Sequence, residues 1–285
     1  LLEADARRDL RRTRRDAAVN VARELATTLE VALAAARAAG DVLMEHFGRL
    51  QASEIASKSV ARDLVTAADV AAERVLVERL RRAFPRHAIE AEEEVKDACG
   101  AADELRWFLD PLDGTLNFVH QLPAFAVSMG LYCGNEPLVG IVHAPRLGET
   151  FTAVRGGGAF LNGERIAVSR CTQLGDALLA TGFPYRRAEL AHNNLDNFAR
   201  FFLDVRGIRR MGSAAVDLAF VAAGRFDGFL ELHLAPHDVA AGALLIREAG
   251  GLVTDADGGA DWLRGGHIVA APPAMHALIR ERVRH

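Results

Sequence analysis

Cysteine is scarce in this chain: Cys99, Cys133 and Cys171 are scattered over 285 residues, and no two form a CxxC pair. That odd count and wide spacing exclude a disulfide framework and a cysteine-rich zinc site, and they fit a reducing, cytoplasmic setting. No apolar run nears the roughly 20 residues of a membrane span, and the N-terminal residues lack the apolar core of a signal peptide. The chain starts at Leu1 and not at Met, so its natural start is not visible. Charge of one sign is not in excess either. A net charge of -4 with 25% charged residues gives no basis for general attraction to nucleic acid or membrane. Several catalytic strings are missing as well: there is no GxxxxGKS/T, no GxSxG, and Gly156-Gly157-Gly158 leads into a hairpin pattern where a dinucleotide fold needs a helix. Internal repeats and low-complexity tracts are absent.

What is present is a large apolar complement, 50% of residues, enough for an extensive core in one or two closely packed units. Residues 1–25 form an Arg-rich extension, helical or disordered, whose interspersed acids (Glu3, Asp5, Asp9, Asp16) argue against a nucleic-acid tail. From Ala26, the apolar positions Leu29, Leu33, Ala36, Leu43 and Phe47 predict a helix that stops at Gly48. A second helix begins after Asp63-Leu64-Val65-Thr66, carries Val75, Leu76, Leu80 and Phe84, and ends at Pro85. Strands are predicted at 105–109, 124–133, 138–143, 149–154 and 159–168, with hairpin turns at Gly134-Asn135 and Asn162-Gly163. Beyond Thr181-Gly182-Phe183-Pro184 the pattern alternates. Helices are expected over 187–204, 213–223 and 239–248, and strands near 227–233, 251–255 and 267–271. The expectation is an antiparallel α+β half (26–185) joined without a linker to an α/β half (186–285).

Asp110-Pro111-Leu112-Asp113-Gly114-Thr115-Leu116-Asn117 stands out because two acids sit where the apolar run 105–109 ends and a Gly-containing turn begins. If both carboxylates face one volume at about 4 Å, they repel by roughly 4 kcal/mol at an effective dielectric near 20. A divalent cation would remove that cost. Alone, the string also reads as an ordinary Pro-Asp-Gly turn with solvated aspartates. Other acids are equally double-valued. Glu92-Glu93 could be an acidic loop. Asp69 stands three residues after Thr66, the spacing of a capping box. Asp238 opens the helix from Val239 and could be its N-cap. Lys58 is either a surface charge or the countercharge of Glu92-Glu93. Glu231 is either an exposed strand residue or a site residue.

Taken together and in order, these segments resemble the inositol monophosphatase family of metal-dependent sugar-phosphate phosphatases. The carriers are Lys58 with Asp63-Leu64-Val65-Thr66-Ala67-Ala68-Asp69, Glu92-Glu93, the block from Asp110 to His120, Gly212-Ser213-Ala214-Ala215, Glu231, and Asp238-Val239-Ala240-Ala241-Gly242. The resemblance runs from about Leu29 to the C-terminus, so residues 26–285 would form one phosphatase domain. It implies a layered αβαβα sandwich of the inositol monophosphatase and fructose-1,6-bisphosphatase type, and a homodimer. It implies metal ligation by Glu92, Asp110, the Leu112 carbonyl, Asp113 and Asp238, holding two Mg²⁺ and a third, weaker one beside Glu92. Hard oxygen donors suit Mg²⁺, and no His or Cys cluster offers a zinc-type alternative. The catalytic residues implied are Asp69, Thr115 and Glu92; the substrate-binding ones are Asp113, Gly114, Thr115, Gly212, Ser213, Ala214 and Glu231. His237 departs from the family, which usually has Trp there, and is expected to be a wall residue of the pocket. Ala91 and Gln121 are lesser departures.

The implied activity is Mg²⁺-dependent, lithium-sensitive hydrolysis of a phosphate monoester, foremost myo-inositol monophosphate. Fructose 1,6-bisphosphate, histidinol phosphate and 3′-phosphoadenosine 5′-phosphate are the competing substrates, although Leu116-Asn117-Phe118-Val119-His120 resembles the inositol branch more. Haloacid-dehalogenase-like phosphatases share an Asp-Gly-Thr-Leu string, but they need a nucleophilic Asp where Pro111 stands, and proline cannot attack phosphorus. A regulatory protein-binding role, for instance with RNA machinery, is the alternative of another class. Since every implied ligand is present, such binding would be added to catalysis.

Overall fold

The computed structural model describes residues 2–98, 100–101 and 104–285, with side chains from residue 22 onward. Cys99 and the Arg-rich side chains of the extension therefore lie outside the described set. Residues 2–25 are not separate from the helix predicted after them: a single α1 spans Leu2–His46. Its Ala32, Ala35, Ala36, Ala39 and Leu43 are fully buried, a stripe at three- and four-residue spacing whose small side chains let the helix lie close to its sheet. A short ribbon of β1 (Ile55–Ser57) and β2 (Leu64–Thr66) leads into α2 (Ala67–Ala83).

The strands β3 (Ala88–Ala91), β4 (Leu105–Asp113), β5 (Ala126–Cys133), β6 (Glu136–Ala144), β7 (Glu149–Val154), β8 (Gly158–Leu161) and β9 (Glu164–Ile166) form one seven-stranded sheet in chain order. The short helix α3 (Thr115–Val119) interrupts it after β4. Only β3 and β4 run parallel; the other pairs are antiparallel. Both faces of this sheet are covered, which is why β4, β5 and β6 read as unbroken apolar runs with little alternation. Trp107 and Leu109 pack toward α1 and α2, and Phe108 packs into the opposite cluster.

The second sheet is built from β10 (Leu178–Thr181), β11 (Gly207–Arg209), β12 (Gly228–Leu232), β13 (Leu252–Thr254) and β14 (His267–Ala271), ordered β11-β10-β12-β14-β13. Between the two sheets lie α5 (Ala214–Ala222) and α6 (Pro236–Glu248). On the far side are α4 (Leu195–Phe202) and α7 (Pro273–Arg280), whose Phe201, Met275 and Ile279 close the outer core. The layers are αβαβα, as the resemblance implied.

The helix expected over 187–204 starts only at Leu195. Asn194, with φ 73°, donates its amide to the Thr181 hydroxyl at 2.9 Å and to the Gly182 carbonyl at 2.7 Å. That buried side chain ties the loop to the end of β10 and holds the backbone out of helical geometry until the next residue. Strands β10 and β11 and helix α7 were not foreseen. The strands are only four and three residues long, too short to show a period.

The middle layer depends on a close approach. Gly130 of β5 and Gly140 of β6 are cross-strand partners, and a Cβ on either would stand 2.7 Å from Ala240 or 2.8 Å from the Ala241 carbonyl. Two side-chain-free positions thus let α6 press its Ala240-Ala241 face onto the sheet, and α6 carries Asp238. Gly140→Val should therefore lower stability in urea by about 1–3 kcal/mol. A variant of wild-type stability would show that the contact is slack.

Candidate active site

Backbone pairing brings the first acids together. The parallel register sets Ala91 beside Leu109, and the Glu92 N–H donates to the Leu109 carbonyl at 3.0 Å, so Glu92 and Asp110 leave adjacent strands at the same end. Pairing with β5 is irregular between Asp110 and Asp113, where Pro111-Leu112 bulge. Gly114 follows with φ 96°, and a Cβ there would meet the Ala124 carbonyl at 2.9 Å. Only glycine turns the chain into α3 at that point without strain. Asp238 arrives from the first turn of α6, where its carboxylate accepts the Ala235 N–H at 2.6 Å. The sheet also grips this turn directly, since the Ser128 hydroxyl, opposite Asp110 in the ladder, donates to the His237 carbonyl at 3.3 Å.

Two groups of ligand atoms result, each with all its atoms within 4.8 Å of one another: Glu92, Asp110 and His237, and Asp110, Asp113 and Asp238. Asp110 belongs to both. Burial, then the charges of Glu92, Asp113 and Asp238, push its carboxyl well above the usual range. Asp113 rises to about 7 through burial and the Asp238 charge, although the Ser213 hydroxyl at 2.5 Å and the Ala215 N–H at 2.6 Å donate to it. Asp238 is also raised, first by burial. Glu92 behaves differently: burial opposes its ionisation, but His237 and Lys58 hold it below the ordinary value. Lys58 donates to Glu92 at 2.7 Å and to Glu93 at 2.6 Å, so it is the countercharge of the pair. Burial alone would lower the Lys58 pKa, yet the two carboxylates raise it.

Beneath the acidic loop, Glu73 of α2 accepts the N–H groups of Glu93, Glu94 and Val95 at 2.8–2.9 Å. Asp69 bonds in two directions. One carboxylate oxygen accepts the Thr66 N–H at 2.8 Å and hydroxyl at 2.6 Å, completing the capping box of α2. The other lies 3.1 Å from the Thr115 hydroxyl, which is equally close to the Leu112 carbonyl. Burial raises Asp69 to about 6 against the pull of these hydrogen bonds.

A cavity of about 300 Å³ opens over the acids. Its wall includes Glu92, Asp113, Gly212, Ser213, Ala214, Glu231 and Asp238; Asp69, Asp110, Leu112, Gly114 and Thr115 adjoin it without lining it. Ser213 is engaged as the N-cap of α5 and as a donor to Asp113, so its hydroxyl supports the acid. Glu231 is buried in β12 and raised to about 8 by burial and the Asp238 charge, which removes the exposed-strand reading. His237 does line the wall, as expected, but its ring also stands among ligand-capable carboxylates.

Sequence reasoning missed Asp217, Arg210, Thr181 and Tyr185, all on the wall. Asp217 is buried, its Oδ1 has no hydrogen-bond partner among the described residues, and burial with the Glu231 charge pushes its pKa well above normal. An acid on the otherwise apolar helix Ala214–Ala222 was the available signal.

An αβαβα sandwich that gathers acids from two strand ends and a helix start between its sheets defines a class of proteins built around a polyvalent acidic site. Residues 24–285 match the inositol monophosphatase family. The Nus factor SuhB of Salmonella typhimurium is 43% identical over 259 residues, covering 90% of this chain and 96% of its own. An inositol monophosphatase from Anabaena superposes with a TM-score of 0.82 at 41% identity, covering 91% of this chain and 96% of its own. The extragenic suppressor protein suhB of Bartonella henselae gives 0.84 at 39%, covering 90% and 98%. The chain belongs to the inositol monophosphatase family.

The raised carboxyls make stability pH-dependent. Unfolded carboxyls titrate near about 4, so the fold binds extra protons up to the folded values of about 7 for Asp113 and about 8 for Glu231. Stability gained by holding those protons is lost as pH rises through these values. Buried histidines such as His87 and His143, shifted down by burial, act only below about pH 6.5. In chelator-treated protein, calorimetric Tm should therefore fall between about pH 6.5 and 8 and level off above the folded carboxyl values. A metal-free Tm that climbs over this range would contradict the assignment.

Proposed function

We propose that this protein hydrolyses phosphate monoesters with Mg²⁺, myo-inositol monophosphate foremost. The observation that carries the reading is Asp110, buried and common to both ligand groups. Three neighbouring carboxylates oppose its ionisation, a strain that divalent cations would relieve. The group Asp110, Asp113 and Asp238 offers only oxygen, the donor set that suits Mg²⁺. Glu92, Asp110 and the Leu112 carbonyl would hold one ion and Asp110, Asp113 and Asp238 another. When bound, the ions supply charge neutralisation and an acidified water at neutral pH.

The protein's own groups do the rest. Thr115 orients the attacking water, and Asp69, which faces its hydroxyl, accepts the proton. The upward shift of Asp69 to about 6 places it near working pH, where a general base is most effective. Backbone N–H groups of Gly114 and Thr115 meet phosphate oxygens at the start of α3. Glu231 and the segment Gly212-Ser213-Ala214 face the alcohol portion across the cavity. The raised pKa of Glu231 lets its carboxyl donate a hydrogen bond to a polyol hydroxyl as well as accept one.

A protein-binding role is a second reading, favoured by the name Nus factor carried by relatives of 43% identity. The acids needed for hydrolysis are all in place, so binding would accompany the chemistry. Affinity capture of the intact chain with and without Asp110→Asn separates the two roles, because a binding surface should survive that change.

For hydrolysis, a panel of inositol, sugar and nucleotide monophosphates should show Mg²⁺-dependent phosphate release. Asp110→Asn should abolish it while keeping or raising metal-free Tm, and Thr115→Ala should cost about 10²–10⁴-fold in kcat. Full turnover by Asp110→Asn in saturating Mg²⁺ would refute the reading. Li⁺ should slow turnover on inositol phosphate; indifference to Li⁺ would count against that substrate and leave the metal assignment standing.

A further inference from the structure

We propose that His237 is a nitrogen ligand at the Glu92–Asp110 position, making that position selective for a first-row transition dication such as Mn²⁺ or Zn²⁺ over Mg²⁺; this rests on the metal-dependent reading above. A ring nitrogen of His237 lies within 4.8 Å of carboxylate oxygens of both Glu92 and Asp110, so that a small movement of the ring would bring all three onto one ion. The imidazole has no hydrogen bond among the described residues. Its nearest charged partner, the Asp238 carboxylate, is 3.9 Å away. The ring lines the cavity with its side chain 16% exposed, open to an ion that enters over the acids.

Its placement is fixed by the backbone. Pro236 starts α6, and the Ser128 hydroxyl holds the His237 carbonyl, so the residue sits on a rigid first turn instead of a loop. The other wall histidine, His233, belongs to neither ligand group. The two ligand groups are thereby chemically unequal. Asp110, Asp113 and Asp238 give oxygen alone, which suits Mg²⁺. Glu92, Asp110 and His237 mix oxygen with imidazole, a set for which divalent first-row metals compete far better than Mg²⁺.

The test uses the full chain loaded with Mn²⁺ and pulsed electron paramagnetic resonance, which detects a directly bound nitrogen through modulation of the spin echo. Wild type should show imidazole modulation, His233→Ala should retain it, and His237→Phe should lose it. Calorimetric titrations should show Zn²⁺ and Mn²⁺ bound at least about tenfold more tightly than Mg²⁺. His237→Phe should erode that preference by no less than the about 10- to 100-fold that even outer-shell changes cost. If His237→Phe fails to fold, His237→Gln repeats the comparison, and the wild-type spectrum decides independently. Bound Mn²⁺ without nitrogen modulation, or modulation unchanged in the variants, overturns the inference while leaving Mg²⁺-dependent hydrolysis intact. Absence of any divalent binding overturns both.

Discussion

Concentrated negative charge is the constraint around which this molecule is arranged. Asp110, Asp113, Asp238 and Glu92 lie close enough that the Asp110 carboxyl is driven far from its ordinary pKa by burial and by its neighbours. At about 4 Å and an effective dielectric near 20, each pair would repel by roughly 4 kcal/mol if both members were ionised. A stable domain can hold such a cluster only if the acids are carried on elements that packing fixes independently. Here the carriers are two strand ends of a fully buried sheet and the first turn of a helix pressed between two sheets.

The acids are placed by ordinary local devices. Asp69 caps α2 and faces Thr115 with the same carboxylate. Asp113 accepts from Ser213 and from the first turn of α5. Asp238 closes the first turn of α6 on the Ala235 N–H. Each contact would be unremarked in a protein without a site. Their effect here is to lock three carboxylates in orientation through one oxygen each while leaving the other oxygen directed elsewhere. A structural contact therefore does not take a residue out of the site in this fold.

That overlap explains how much of the protein was legible in its sequence. The long strands around Asp110 and the helices of the first half follow from apolar runs and period, and the ordered acidic motifs led to the layered architecture. The motifs also brought Glu92, Asp110, Asp113 and Asp238 into one list. Short covered strands such as Leu178–Thr181 carry no period to detect, and the late start of α4 depends on Asn194 reaching back to β10, a contact no local pattern encodes. Asp217 and Arg210 went unnoticed for a related reason. Asp217 reaches the cavity through the packing of α5 and Arg210 from the segment that precedes that helix, and a lone acid on an apolar helix does not announce its neighbours. Glu231 was ambiguous because alternation in a strand fits either face, and its burial was decided by the layer above it.

Glu73 gives the acidic loop a property of its own. Its buried carboxylate receives three consecutive backbone N–H groups from Glu93 to Val95, so the arm bearing Glu92 is clamped by a residue outside both ligand groups. The contour of that arm is consequently independent of cargo, a jig cut beforehand and not a noose that tightens on its catch. Divergence could strip the chemistry from such a chain and still leave the same outline facing the solvent for another molecule to grip.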